Sequence, residues 1–570
     1  MTLLLKNEAL GTREVFSPLL SLVVAIVGSI VLFKMYTAHL LSLSILTSWT
    51  KAVTPEEDFQ TKCLKFEPEF RGTKIKPELI EYHTKGSAVA LPYRDPTCGG
   101  PGNSAVLSQD ICRVALRIDT SGRSGIHLET WFPAQYSGRV LATGNGGLNG
   151  CLDYASLVYG TQQNFATFAA NNGHNGTSGA EFYQNADVLH DYADRSLHVS
   201  VVVGKSLSHQ FYGKEHKKSY YLGCSQGGRQ GIANAQKYPT DFDGIIAGAP
   251  ALDFSNMVSW RISFFPITGD TNSSDFIAPE TWSGLIHGEI LKQCDGLDGV
   301  RDGIIEYPDR CQFQAEALLC TPEITTNCLT SKQVKIVERV FSPLTYGNGT
   351  LIFPALQVGS EQRAIERLLA GKPFSDSQDW FRYVVYSNPA WNPASFTTED
   401  ARQAEQLNPF NIRTWPSPED LSTFTKKGGK ILTYHGMQDQ QITSHNTARW
   451  YEYLRSKTSD EDVEEWLRYF RISGMYHCNS GPGAWMIGQS ASDVPFESRS
   501  NVLAAIVDWV ENGQALDELE GTKMSEGADA VVLFTRRHCR YPKRNEYQPS
   551  SSQDLTSLPT TSTSDDWKCV

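Results

Sequence analysis

The stretch from Ser219 to Lys237 constrains this chain more than any other. Ser219-Tyr-Tyr-Leu-Gly223 is an apolar run that reads as a strand. It passes straight into Cys224-Ser225-Gln226-Gly227-Gly228, and Gly227 to Lys237 then reads as a helix. Gly223-Cys224-Ser225-Gln226-Gly227 matches G-x-S-x-G, a pattern this glycine usage yields by chance roughly 0.3 times. The context therefore carries the weight. A strand-to-helix turn this sharp crowds backbone against backbone, so small residues must flank the serine. Ser225 Oγ then stands clear of the sheet edge. The bland alternative is a glycine-rich turn with a bystander serine.

Further strands are expected at Ile126–Phe132, Gly138–Thr143, Gly244–Pro250, Lys430–Tyr434 and Leu467–Ile472. Leu197–Val203 can be read as strand or helix. Strands alternating with helices imply a mostly parallel sheet covered on both faces. The fold class is α/β, an α/β-hydrolase fold with a large inserted lid domain. The lid is expected at 251–427, where Trp and Pro become frequent and four Cys and two sequons fall. It divides the core into 53–250 and 428–545. A Ser/Thr-rich tail, 546–570, has a disordered composition, yet a terminal Cys569 in an exported chain asks for a partner, and Cys539 is nearest.

Composition narrows the class. At 570 residues the chain is too long for one ordinary core. With 40% apolar and 20% charged residues it is neither wholly disordered nor a polytopic membrane protein. A net charge of -12 offers nucleic acid no basic footprint. Twelve Cys with no CxxC pair read as six disulfides in an oxidising compartment. The first 52 residues leave three readings open: a long signal peptide, a signal anchor, or translation from Met35 with cleavage near Lys51-Ala52-Val53. Each puts the rest of the chain outside the cytosol, secreted or membrane-anchored. Sequons at Asn175, Asn272 and Asn348 are compatible with glycosylation there.

A serine nucleophile needs a base, and the base needs an orienting acid. In the order Ser, acid, His, Asp439 follows one late strand and His477 the next. Asp460–Asp462 are rival acids in a charge run. His435 is a rival base on the strand side of Asp439. Cys224 directly precedes Ser225, and Cys478 directly follows His477. A bond between them would hold Cα atoms about 5.5 Å apart and so keep nucleophile and base within reach across the chain.

Tyr220–Gly231, Tyr238–Pro250, Asp191–His198, Asp439 and His477-Cys478 together resemble the tannase/feruloyl esterase family of secreted serine esterases. The likeness runs from about Cys63 to Cys569. It implies a triad of Ser225, Asp439 and His477 beside a Cys224–Cys478 bridge. It further implies bridges Cys63–Cys112, Cys98–Cys151, Cys294–Cys311, Cys320–Cys328 and Cys539–Cys569. The oxyanion hole would use the N–H of Gln226 and one from the Gly144–Gly150 loop, taken as Gly147.

Cys294–Ile304 carries Asp295, Asp298 and Asp302 among glycines, hard oxygens of the kind calcium takes. The spacing is not that of an EF-hand, and a polar surface turn is the alternative. The resemblance implies structural calcium on those three carboxylates and the carbonyls of Val300 and Ile304. It implies no organic cofactor. The expected activity is hydrolysis of phenolic esters of plant material, feruloyl or hydroxycinnamoyl first and galloyl (a tannase) second. A serine peptidase would use the same triad but needs room for an extended chain. A non-catalytic binding protein usually lacks a triad member.

Overall fold

Nine strands form one sheet. They are β1 (Ile75–His83), β2 (Ile111–Asp119), β3 (Gly125–Pro133), β4 (Arg139–Thr143), β5 (Phe165–Ala170), β6 (Lys218–Cys224), β7 (Gly244–Gly248), β8 (Lys430–Gly436) and β9 (Leu467–Ile472). Their spatial order is β1-β2-β3-β5-β4-β6-β7-β8-β9. From β5 to β9 every pairing is parallel, and the β1-β2-β3-β5 side is antiparallel. The parallel sheet expected from alternation is present with an antiparallel wing. The computed structural model describes residues 58–70, 74–99, 104–490, 494–527, 529–548 and 564–570. The N-terminal leader or anchor lies outside them. Among the described residues no helix is long and apolar enough to cross a membrane.

Both faces of the sheet are covered. On one face pack α2 (Ser196–Tyr212), α3 (Gln226–Lys237) and α5 (Ser444–Arg455), through Val201, Leu207, Ile232, Trp450 and Leu454. On the other lie α1 (Tyr154–Gln162) and α6 (Val502–Asn512), through Tyr159, Leu503, Ile506 and Trp509. Double coverage explains why β3 is buried at every position and shows no alternation. Leu197–Val203 is helical, inside α2. It is preceded by a π-helical turn, Asp191–Arg195, that places Asp191 and Tyr192 in the interior.

After the insertion the chain rejoins the sheet at Lys430. Its first helix, α4 (Phe254–Thr268), is buried along most of its length and seeds a core with Trp260, Trp282, Phe353 and Trp380. Residues Glu57–Val570 nevertheless form one compact unit, so the lid is fused to the sheet. Within the described part of the tail, Trp567–Cys569 pairs with Asn545–Tyr547, and Trp567 is fully buried. All six expected disulfides are present. Asn175, Asn272 and Asn348 are exposed.

Candidate active site

β6 ends at Cys224, α3 begins at Gln226, and Ser225 sits between them at φ 65°, ψ -122°. L-residues rarely hold such a conformation, and here the surroundings enforce it. Ser225 N–H donates to Gly248 O, and Ser225 O accepts from the N–H groups of Arg229 and Ala251. The flanking glycines are obligatory. A Cβ at Gly223 would lie 2.7 Å from the Gly227 carbonyl carbon, and one at Gly228 would lie 2.4 Å from Gly248 O.

Asp439 follows β8 and is fully buried; His477 follows β9. His477 Nδ1 is 2.7 Å from Asp439 Oδ2. Asp439 Oδ1 accepts from the N–H groups of Gln441 and Ile442. Burial alone would push this carboxyl up. The charge on His477 and the hydrogen bonds from His435 and His477 outweigh it and hold Asp439 well below the usual carboxylate range. Among the rival groups, Asp462 is exposed and bonds Thr458 and Ser459. His435 is fully buried and touches Asp439 from the side away from the cavity, its Nδ1 meeting Thr447. His477, not His435, lines the cavity with Ser225. The Cys224–Cys478 bridge closes at a Cα–Cα distance of 5.9 Å across 254 residues. It ties the elbow to the loop that carries the base.

The Gly144–Gly150 loop faces Ser225. The N–H groups of Gly144, Asn145, Asn149 and Gly150 are already bonded within the protein. Gly147, Leu148 and Gln226 line a narrow space that Ser225 also lines. Three side chains that the sequence reading did not single out hold this loop. Asn145 donates to Cys151 O and Ala170 O, Gln230 to the side-chain oxygens of Asn145 and Asn172, and Asn172 to Asn149 O. Buried amides with this many partners make a stiff frame.

The cavity in front of the triad measures ≈ 560 Å³. Arg261, Arg367 and Asp376 from the lid line it, none of them signalled by a motif.

In the acidic loop Asp295 and Asp298 are buried and Asp302 partly so. Asp298 Oδ2 has no hydrogen-bond partner. Burial first, then Glu306 and Asp302, push Asp298 up to about 8. Among the described residues no three metal-type side chains converge as they stand, and Asp302 is paired with Arg536. Buried, mutually repelling carboxylates with an orphan oxygen nonetheless fit a hard divalent cation. The loop also reaches the triad: Gln438, next to Asp439, donates to Ile305 O at 2.9 Å and accepts from Gly474 N–H.

Comparison with known proteins agrees with this geometry. The chain matches the family described as tannase and feruloyl esterase over residues 112–419 and 381–559. It is 52% identical over 491 residues to a protein named probable feruloyl esterase B-2 from Aspergillus flavus, covering 85% of this chain and 93% of that one. Its counterpart from Aspergillus fumigatus is 47% identical over 537 residues, covering 93% and 99%. The crystal structure of feruloyl esterase B from Aspergillus oryzae superposes with a TM-score of 0.85 at 42% identity, covering 90% of this chain and all of that one. Tannin acyl hydrolase from Aspergillus niger shares the fold at a TM-score of 0.69 and 20% identity, covering 89% and 94%.

Proposed function

This chain belongs to the tannase and feruloyl esterase family, and on that premise we propose that it hydrolyses carboxylic esters of phenolic acids, feruloyl and other hydroxycinnamoyl esters first. The observation that carries the reading is the buried Asp439–His477 pair at 2.7 Å, facing one cavity with a serine held on a strained elbow. The relatives named feruloyl esterase B support the choice of acid.

Asp439 accepts a hydrogen bond from Nδ1–H of His477, which leaves Nε2 as the base. Nε2 takes the Ser225 hydroxyl proton as Oγ attacks the ester carbonyl. Negative charge then develops on the carbonyl oxygen, where the N–H groups of Gln226 and Gly147 receive it. His477 returns the proton to the leaving alcohol. Water, deprotonated by the same nitrogen, then releases the acid from Ser225. No step calls on an organic cofactor.

The same reading includes export. Six disulfides suit an oxidising compartment, and three exposed sequon asparagines suit glycosylation. It also includes structural calcium on Asp295, Asp298, Asp302 and the carbonyls of Val300 and Ile304. Bound there, the ion would neutralise the repelling carboxylates.

The test is release of free acid from methyl ferulate and methyl gallate, with Ser225→Ala as control. Ferulate release lost in the variant supports the reading. Gallate release alone makes the chain a tannase. Activity on neither, with Ser225 still labelled by an organophosphonate, discards the substrate class and keeps the triad.

A further inference from the structure

Among the charged side chains that line the catalytic cavity outside the triad are Arg261 and Asp376. Arg261, on α4, is 4% exposed. Its Nε donates to Gln441 O at 2.8 Å, and its guanidinium lies 4.7 Å from the Phe374 ring centroid. Those contacts fix the plane of the group. Its two terminal nitrogens have no hydrogen-bond partner among the described residues, and the residue lines the cavity that Ser225 opens into. A guanidinium this dry would ordinarily take a carboxylate. The negative charge that most opposes its burial is that of Asp376, which lines the same cavity, while Arg367 acts on it with the same sign. Asp376 Oδ1 accepts from Ser375, and Oδ2 reaches to 2.7 Å from where a Cβ on Gly147 would stand. The pair therefore borders the loop expected to hold the oxyanion.

Between this pair and Ser225 runs an apolar slot formed by Leu148, Phe254, Met257 and Val258. It is tight, about one water wide at ≈ 10 Å³. Met257, unbranched and adaptable, forms one wall of it. Apolar walls with one fixed donor and one acceptor select a flat ring whose polar group both gives and takes a hydrogen bond. A carboxylate at that point would meet Asp376. A bare phenyl ring would leave Arg261 dry and unpaired.

We propose that Arg261 and Asp376 recognise the phenolic hydroxyl of the acyl group. The hydroxyl donates to Asp376, and Arg261 donates to the phenolic oxygen and to the oxygen substituent beside it on the ring. This deepens the ester-hydrolase reading and rests on it. Arg261 also bonds the carbonyl of Gln441, whose N–H is bonded to Asp439. The specificity group and the triad acid thus share one short segment.

The test compares methyl ferulate with methyl 3,4-dimethoxycinnamate, which has the same ring oxygens but no hydroxyl proton. The native enzyme is expected to favour ferulate in kcat/KM by about 10- to 100-fold, the worth of one hydrogen bond to a charged group. In Asp376→Ala that ratio is expected to fall at least about tenfold. Arg261→Lys, which keeps charge and bulk if Arg261→Gln fails to fold, is expected to lower it as well. A native ratio within about threefold, or a ratio unmoved in Asp376→Ala, overturns the proposal. Binding of free ferulate and free 3,4-dimethoxycinnamate to the Ser225→Ala protein gives a second readout: tighter ferulate binding supports the proposal, and equal binding overturns it. If neither ester is hydrolysed while the phosphonate labels Ser225, it is the substrate class that has failed, and the binding comparison still decides the fate of the pair.

Discussion

His435 and His477 meet the same oxygen of Asp439, at 3.0 and 2.7 Å. His435 Nε2 also lies 2.8 Å from Ile442 O. Two acceptors on one nitrogen require that it carry the proton, so His435 is a donor to the triad acid. It is a positioning residue. It draws negative charge from Asp439 that would otherwise favour protonated His477. In His435→Ala, kcat is expected to fall about 10- to 100-fold, one charged hydrogen bond expressed in the transition state, with KM within about twofold. His435→Gln, which can still donate, is expected to recover part of the loss. An unchanged kcat in His435→Ala would show that His435 only fills space.

The Cys224–Cys478 bridge closes a loop of 254 residues. In the chain-entropy picture a loop of that size contributes about 5 kcal/mol through the unfolded state. Cys224→Ser with Cys478→Ser is therefore expected to lower Tm by several degrees. Because each cysteine adjoins a triad residue, kcat is also expected to fall by about tenfold at temperatures where the variant is fully folded. A variant that lost stability but kept native kcat would reduce the bridge to a staple.

How much of this was legible from residues alone follows local signal strength. The elbow was readable because steric crowding at Gly223 and Gly228 leaves few alternatives, and the cysteines beside Ser225 and His477 linked distant segments. β2 escaped notice because it is buried on both faces and carries no alternating pattern. α2 was ambiguous because Val199, Val201, Val202 and Val203 favour strands, whereas packing on the sheet makes the segment helical. Arg261 and Asp376 were invisible for another reason. They reach the cavity from separate parts of the lid, and only tertiary folding brings them together. His435 was set aside as a base because it lies only four residues from Asp439 on the strand side, and its contact with that carboxylate became visible only once the chain was folded.

Calcium gives a prediction with a crossover. Asp298 is a buried carboxylate with an orphan oxygen, an expensive arrangement without a cation. Chelation of the wild type is expected to lower Tm; an ion at about 100 times its Kd stabilises by about 2.7 kcal/mol. Asp298→Asn is expected to be less stable than wild type in calcium and more stable in chelator. Since Gln438 joins Ile305 to the segment carrying Asp439, kcat is expected to fall on chelation as well. Melting curves that ignore both calcium and chelator would remove the ion from the account.

The far wing of the sheet holds a buried carboxylate whose protonation is expected to cost stability in acid. Glu129 on β3 is fully buried and receives a two-point bond from Arg113 on β2, 2.8 Å at each contact, with Trp131 and Tyr154 donating to the same carboxylate. Burial pushes its pKa up, but the hydrogen bonds from His127 and Arg113 and the charge of Arg113 win and bring it down to about 2. A lowered carboxylate pKa adds stability that is complete above its unfolded value, near 4.5, and is lost as pH falls through the folded one. The shift corresponds to about 3 kcal/mol lost between pH ~4.5 and ~2. Glu129→Gln is expected to be about 3–5 kcal/mol less stable at pH 7, because it strands the buried Arg113. It is also expected to lack this acid-linked slope, so its stability curve should approach the wild-type curve as pH falls. Denaturant titrations at pH 7, 5, 4 and 3 on both proteins check this. Parallel curves over that range would show that another carboxylate sets the acid limit.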